Sequence, residues 1–141
     1  MALKRDKLDA VISDLVRERA DWTCECCGLE FPDRKGRGLQ ASHYFGRANK
    51  SVRWHGDNVF AHCTACHFRL GSSPHEFSTW ARGTLGETRY DDLVLRAKAP
   101  KKYTKADKEE MVAHYRAQLK AIRRRRAEKG EIGYIDFVNW D

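Results

Sequence analysis

Hydrophobic and polar residues follow three successive patterns along this chain. Over residues 4–20, Leu8, Val11, Ile12, Leu15 and Val16 fall at helical spacing among charged residues, the pattern of an amphipathic helix. Residues 21–70 lose that period, and Cys, His, Gly and aromatic residues take over. Short strands fit best at Leu39–Phe45, Val52–His55 and Val59–Ala61, with glycine-containing turns between them. Helical spacing returns from about residue 75. Phe77 and Trp80 predict a short helix, and Tyr90, Leu93, Val94 and Ala97 predict another, closed by Pro100. A long helix is expected from about Thr104 to Lys129. Thr104-Lys105-Ala106-Asp107 resembles a capping box with Asp in place of Glu, Gly130 is a stop, and Met111, Val112, Tyr115, Leu119 and Ile122 form its apolar stripe. At 1.5 Å per residue it would run roughly 40 Å, more than the core of so short a chain needs. The tail from Ile132 to Trp140 is apolar enough that it should pack back on the core or pair with another protomer.

These elements predict an α+β fold in one domain over residues 1–141. Its parts would be an N-terminal helix (1–22), a Cys- and His-rich core (23–72), a helical region with the long helix (73–129) and an apolar tail (130–141). No run of eighteen apolar residues is present, which excludes a membrane-spanning helix. The first residues, Met1-Ala2-Leu3-Lys4-Arg5-Asp6, lack the apolar stretch of a signal peptide, so a cytoplasmic location is expected. Charge changes the picture further. The 27 Lys and Arg exceed the 20 Asp and Glu by seven, and the isoelectric point is near 9.3, which favours polyanions and nucleic acid first among partners.

Five cysteines are an odd number, and in a reducing compartment they are metal ligands or free thiols rather than disulfides. Cys24/Cys27 and Cys63/Cys66 each leave two residues between the thiols, so that a tight turn presents both sulfurs to one tetrahedral metal. Zn²⁺ suits four soft thiolates, and a closed four-sulfur site is structural because it has no open position. The alternatives are inert buried thiols or a redox pair at one of the two places. Cys26 is left over. Between and just after the pairs lie His43, His55, Asn58, His62 and His67. Histidine titrates near neutrality and suits a general base, and imidazole and oxygen ligands suit a divalent cation. A histidine on a short strand is also an ordinary structural residue, and Asn58 after Gly56-Asp57 is also an ordinary turn former.

The basic residues Arg116, Lys120, Arg123, Arg124, Arg125 and Arg126 on the long helix are candidate phosphate contacts, with Arg47, Lys50 and Arg53 nearer the histidines. The other reading of the arginine run is a solvated helix end that complements the helix dipole. No motif for reading the major groove is evident, which favours recognition of backbone and shape.

The first cysteine pair, Ser42-His43, Asn58, and the second pair with His67 resemble the zinc-containing HNH nuclease pattern, the ββα-metal finger. The chain is more closely similar to the phage NinG (Rap) recombination proteins through Gln40-Ala41-Ser42-His43-Tyr44, Val52-Arg53-Trp54, Asp57-Asn58-Val59, Cys63-Thr64-Ala65-Cys66, Leu70-Gly71 and Tyr115 to Lys120. The resemblance covers roughly residues 7–126. It implies a phage-encoded, metal-dependent endonuclease that cuts branched recombination intermediates such as Holliday junctions and D-loops. It also implies His43 as general base, Asn58 to orient the His43 strand or touch the metal, and His67 as a ligand of catalytic Mg²⁺ or Mn²⁺. Many HNH proteins carry a metal-binding Asp where Ser42 stands, and NinG-type sequences often carry His where Phe60 stands; His62 and Asp57 are the nearby substitutes. The partner implied is DNA, branched, and its two-fold symmetry favours a homodimer, with the tail and long helix as candidate interface. Two other readings stay open: an HNH endonuclease acting on linear duplex, and a zinc module that binds nucleic acid without cutting it.

Overall fold

The computed structural model describes residues 3–141; Met1 and Ala2, the start of the expected N-terminal segment, lie outside them. Asp6 caps the first helix, α1 (Lys7–Arg19), through a reciprocal box in which the Asp6 carboxylate accepts from Asp9 N–H and the Asp9 carboxylate accepts from Asp6 N–H, both at 2.9 Å. A mixed α+β arrangement follows: β1 (Leu39–His43), β2 (Val59–Cys63), α2 (Thr64–Gly71), α3 (Pro74–Leu85), α4 (Glu87–Lys98) and α5 (Lys105–Lys129). Thr104 and Asp107 form the predicted capping box of α5, and Gly130 ends the helix in the left-handed conformation at φ 64°.

Helices α1 and α5 lie side by side and parallel. Lys108 meets Asp6 at one end (2.6 Å), and Arg126 meets Glu18 at the other (3.3 Å). Leu8, Ile12, Leu15 and Val16 of α1 pack with Met111, Tyr115, Leu119 and Ile122 of α5, all buried. Full burial of each aliphatic side chain contributes about 1.5–3 kcal/mol relative to exposure.

The two strands pair antiparallel in the register Leu39↔Cys63, Gln40↔His62, Ala41↔Ala61, Ser42↔Phe60 and His43↔Val59. Directly opposed residues share a face. Leu39, Ala41 and His43 therefore lie with Val59, Ala61 and Cys63 on the face toward α1, whereas Ser42, Phe60 and His62 face α2, α3 and α4, where Leu70, Phe77, Ala81 and Tyr90 form a second small core. The expected strand at Val52–His55 does not form; the segment is a turn. Its β-favouring residues are overridden because Arg53 and Trp54 fold inward onto the buried carboxylate of Asp9.

Of the two fates open to the tail, packing back is the one adopted. Ile135 and Phe137 are buried, Ile135 N–H donates to Arg19 C=O (3.0 Å), and Trp140 N–H donates to the Tyr115 hydroxyl (3.1 Å). Ile132, Tyr134 and Val138 remain exposed. Among the described residues, no helix is long and apolar enough to cross a membrane.

Candidate functional site

The first cysteine knuckle is a turn closed by backbone hydrogen bonds from Gly28 to Cys24 and from Cys24 to Leu29, each 2.9 Å, with Gly28 at φ +80°. It is fastened to the outer edge of β2: Glu25 N–H donates to Ala61 C=O (2.8 Å), and Ala61 N–H donates to the Glu25 carboxylate (2.7 Å). The second pair straddles a junction, with Cys63 ending β2 and capping α2, and Cys66 in the first turn of that helix. The Sγ atoms of Cys24, Cys27, Cys63 and Cys66 all lie within 4.8 Å of one another, and those of Cys27 and Cys63 are 3.7 Å apart. A tetrahedral ZnS₄ site with bonds of about 2.3 Å has edges of about 3.8 Å, so these four residues fit a structural zinc ion. Burial pushes the Cys24 thiol up, but backbone donors from Cys27, Cys63 and Cys26 outweigh it and hold the thiol at about 7. Cys26 stands outside the cluster, with its sulfur accepting from Arg69 at 3.2 Å.

His43 ends β1, partly buried beside a network centred on Asp9. Its Nε2 lies 3.0 Å from the carbonyl oxygen of Arg53. A carbonyl only accepts, so Nε2 carries the ring proton and Nδ1 keeps its lone pair. The Arg53 segment is held by its own side chain, whose Nε and Nη2 donate to Asp9 at 3.0 and 2.6 Å, while Trp54 Nε1 donates to the same carboxylate at 2.9 Å. Burial lowers the His43 pKa below the usual imidazole value, although Arg53 C=O and Asp9 favour the cation. Burial raises Asp9, but the Arg53 and Trp54 hydrogen bonds and the Asp6 N–H outweigh it and hold the carboxyl well below the usual range.

Asn58 is fully buried and stitches the connection between the strands. Its Oδ1 accepts from Phe45 N–H (2.7 Å), and its Nδ2 donates to Phe45 C=O (2.9 Å) and Val52 C=O (3.1 Å). These bonds tie Phe45, two residues beyond the end of β1, to the turn at Val52 and to the start of β2. Arg19, also buried, holds the same turn from below through Nη1 to Gly56 C=O (2.9 Å) and Nη2 to Val59 C=O (2.6 Å).

The remaining implied metal residues lie elsewhere. Ser42, 1% exposed, points to the opposite face of the hairpin from His43. His62 sits on that same face against Trp80 and Phe77, with ring centroids 4.7 and 5.9 Å apart. Burial and the neighbouring His67 depress His62 to about 4. Both His62 ring nitrogens and Nδ1 of His67 are buried without a hydrogen-bond partner. Among the described residues, only the four cysteines bring three or more His, Cys, Asp or Glu ligand atoms together. Asp9, the carboxylate nearest His43's network, is fully engaged. The residues beside His43 thus do not assemble a divalent-cation shell.

The expected phosphate contacts divide. Arg53 is withdrawn from solvent and committed to Asp9, which removes it from a DNA surface; the desolvated carboxylate demands the guanidinium. Arg126 is likewise turned inward, onto Glu18 and the carbonyls of Glu18 and Gly133. Arg47 reaches Asp9 at 3.3 Å but stays partly exposed. Lys50, Arg116, Lys120, Arg123, Arg124 and Arg125 are exposed. Asp9 and Arg19, the two organising residues not singled out from the sequence, carried a signal there. Arg19 continues the spacing of Leu8, Ile12 and Leu15, and a charge on an apolar stripe must find a buried partner.

Neither a curated protein nor a solved structure matches the chain. A family model does, the one described as Bacteriophage Lambda NinG protein, and it covers residues 4–126. That span includes both knuckles, the hairpin and all of α1, and on it the chain belongs to the NinG family.

Proposed function

We propose that this protein is an HNH-type endonuclease that hydrolyses phosphodiester bonds in branched DNA arising in phage recombination. One observation carries the reading. His43 is locked by Arg53 C=O with its Nδ1 lone pair free of the described residues, on a strand pinned by the cysteine cluster and ordered by Asn58. Hairpin, helix and knuckles follow the order of a ββα-metal finger, and NinG membership supports a role in phage recombination. In the reaction, Nδ1 of His43 takes a proton from water as its oxygen attacks phosphorus, the bond to the 3′ oxygen breaks, and that oxygen takes a proton from solvent water to leave as a hydroxyl. Two copies would serve the two-fold symmetry of a four-way junction. No step is derived through Mg²⁺ or Mn²⁺, since the residues around His43 do not form a shell for either.

The test incubates wild type and His43→Ala with a four-way junction and a matched linear duplex, in Mg²⁺, in Mn²⁺ and in EDTA. Junction cleavage that falls at least 10²-fold in His43→Ala is the expected result, on the order of a general base's contribution. Its acid limb should lie below the usual imidazole pKa of about 6.5, because burial depresses His43. Equal cleavage of linear duplex would replace branched DNA with duplex as substrate. Binding without cutting in every metal would favour a non-catalytic zinc module, a reading that Ser42's burial on the far face and Asp9's engagement by Arg53 support.

A further inference from the structure

The net charge of this chain is concentrated at one end of the molecule. Residues 3–9, 44–55 and 98–110 hold eleven Lys and Arg against five Asp and Glu, six of the net seven positive charges. These segments are distant in sequence but tied together in space. Arg53 Nη2 donates to Lys4 C=O (3.1 Å), Asn49 Nδ2 to Ala97 C=O (3.1 Å), and Ser51 Oγ to Ala99 C=O (2.6 Å). Tyr103 packs edge-on against Trp54 at 5.4 Å, and Lys108 lies 5.1 Å over the Trp54 ring. The same connection supplies the Arg53 carbonyl that holds His43.

Not all of this charge is spent inside the fold. Arg53, Arg47 and Lys108 pair with Asp9 or Asp6, whereas Lys4, Lys7, Lys50, Lys98, Lys102 and Lys105 are exposed and pair with no acidic group among the described residues. Between the starts of α1 and α5 runs an open groove of about 770 Å³, lined by four basic residues, Lys7, Lys105, Lys108 and Arg116, against two acidic ones, Asp6 and Glu109. The arginine run is the opposite case. Arg123 and Arg126 reach Glu18, Arg125 reaches Glu131 at 2.5 Å, and Arg124 is 3.8 Å from Glu128. That run also lies roughly 24 Å further along α5 than Lys108, at 1.5 Å per residue, beyond the Debye length of about 10 Å at 0.1 M salt.

We infer that the DNA arm nearest His43 lies along the lysine surface formed by residues 3–9, 44–55 and 98–110 and the α1–α5 groove, and that the arginine run of α5 is a structural clamp. The inference rests on the reading of DNA as partner. Exposed lysines without acidic partners keep counterions that a phosphate backbone displaces, whereas the arginines beside Glu18, Glu128 and Glu131 have part of their charge already offset. Lysine ammonium groups on flexible stems contact phosphates without reading bases, as recognition of branch shape requires.

The test measures binding of the full chain to a labelled four-way junction and to linear duplex by fluorescence anisotropy across salt concentrations. The variants are Lys7→Gln/Lys102→Gln/Lys105→Gln and Arg123→Gln/Arg124→Gln. Loss of three phosphate contacts should weaken binding tenfold or more at about 0.1 M salt and reduce the slope of log K against log salt by about 3. The arginine pair should lose less than about threefold. The lysines are exposed, so the triple variant should melt like the wild type. Wild-type binding that the triple variant retains, or equal losses in both variants, would overturn the lysine surface and leave DNA as partner standing. A wild type that binds neither DNA would overturn both readings.

Discussion

The α1–α5 pair buries Leu8, Ile12, Leu15, Val16, Met111, Tyr115 and Ile122 in one continuous apolar seam. Residues 23–43, by contrast, contribute only Cys24 and Leu39 as buried hydrophobic side chains. The first region has enough apolar burial to hold its shape; the second depends on sulfur, Glu25 and the polar links to Asp9 and Asn58. The same chain thus solves the problem of a small core in two ways. Where period and apolar content suffice, packing holds the backbone, and where turns and histidines crowd in, point contacts of high individual strength do so.

The largest test of that contrast is removal of the metal. A four-thiolate zinc site contributes on the order of 10–16 kcal/mol in apparent binding, as much as the whole stability of an ordinary domain. Strong chelation is expected to abolish amide-exchange protection across residues 23–71 while α5 keeps most of its helical circular dichroism. Protection that survives with zinc absent by elemental analysis would mean that the two regions are not held differently after all.

Asp9 is the next largest, because it joins the two regions. Asp9→Ala leaves Arg53 buried without a counter-charge, and chemical denaturation should register a loss of about 3–5 kcal/mol. The pH dependence has a definite sign. The folded carboxyl lies below its unfolded value of about 3.9, so its stabilisation is present above that pH and fades as the pH falls below it. Asp9→Asn should flatten this acid limb, and an unchanged limb would remove Asp9 from the junction.

The smallest effect concerns the tail. A Cβ at Gly56 would come within 2.9 Å of the Phe137 ring and 3.1 Å of Asn139 Oδ1, which accepts from Gly56 N–H at 2.6 Å. Gly56→Ala should cost about 1–3 kcal/mol and loosen the tail selectively. Faster exchange at Ile135 and Trp140, with Leu15 unaffected, would place the tail with the weakly packed region rather than with the helical seam.

Much of the helical part was legible in the sequence because local signals and tertiary packing agree there. Thr104, Asp107 and Gly130 bound α5 where their side-chain and backbone chemistry says they should, and Pro100 follows the end of α4. The cysteine pairs were legible for the same reason: a two-residue spacing is a local geometric statement. Val52–His55 departs from its strand pattern because β-propensity reports local fit, and Asp9, more than forty residues away, decides that segment. The histidines were the hardest. His43, His62 and His67 are close in sequence, but strand alternation sends His43 to one face of the hairpin and His62 to the other, which spacing alone does not reveal without the register. Charge was misleading in another way: the densest arginine run lies beside Glu18, Glu128 and Glu131, whereas Lys4, Lys7, Lys50, Lys98, Lys102 and Lys105 have no acidic partner among the described residues.

Cys63 belongs at once to the last rung of the hairpin, the cap of α2 and the sulfur cluster. A slip of one residue between β1 and β2 would move a strand by about 3.4 Å and turn every side chain to the wrong face, His43 included. The four thiols come from the first knuckle, which is fastened to β2 through Glu25 and Ala61, and from the β2–α2 junction, so closing the tetrahedron depends on how the knuckle seats on β2. A zinc ion held there would act as a cross-link, closing the chain between Cys27 and Cys63, hairpin included, into a loop.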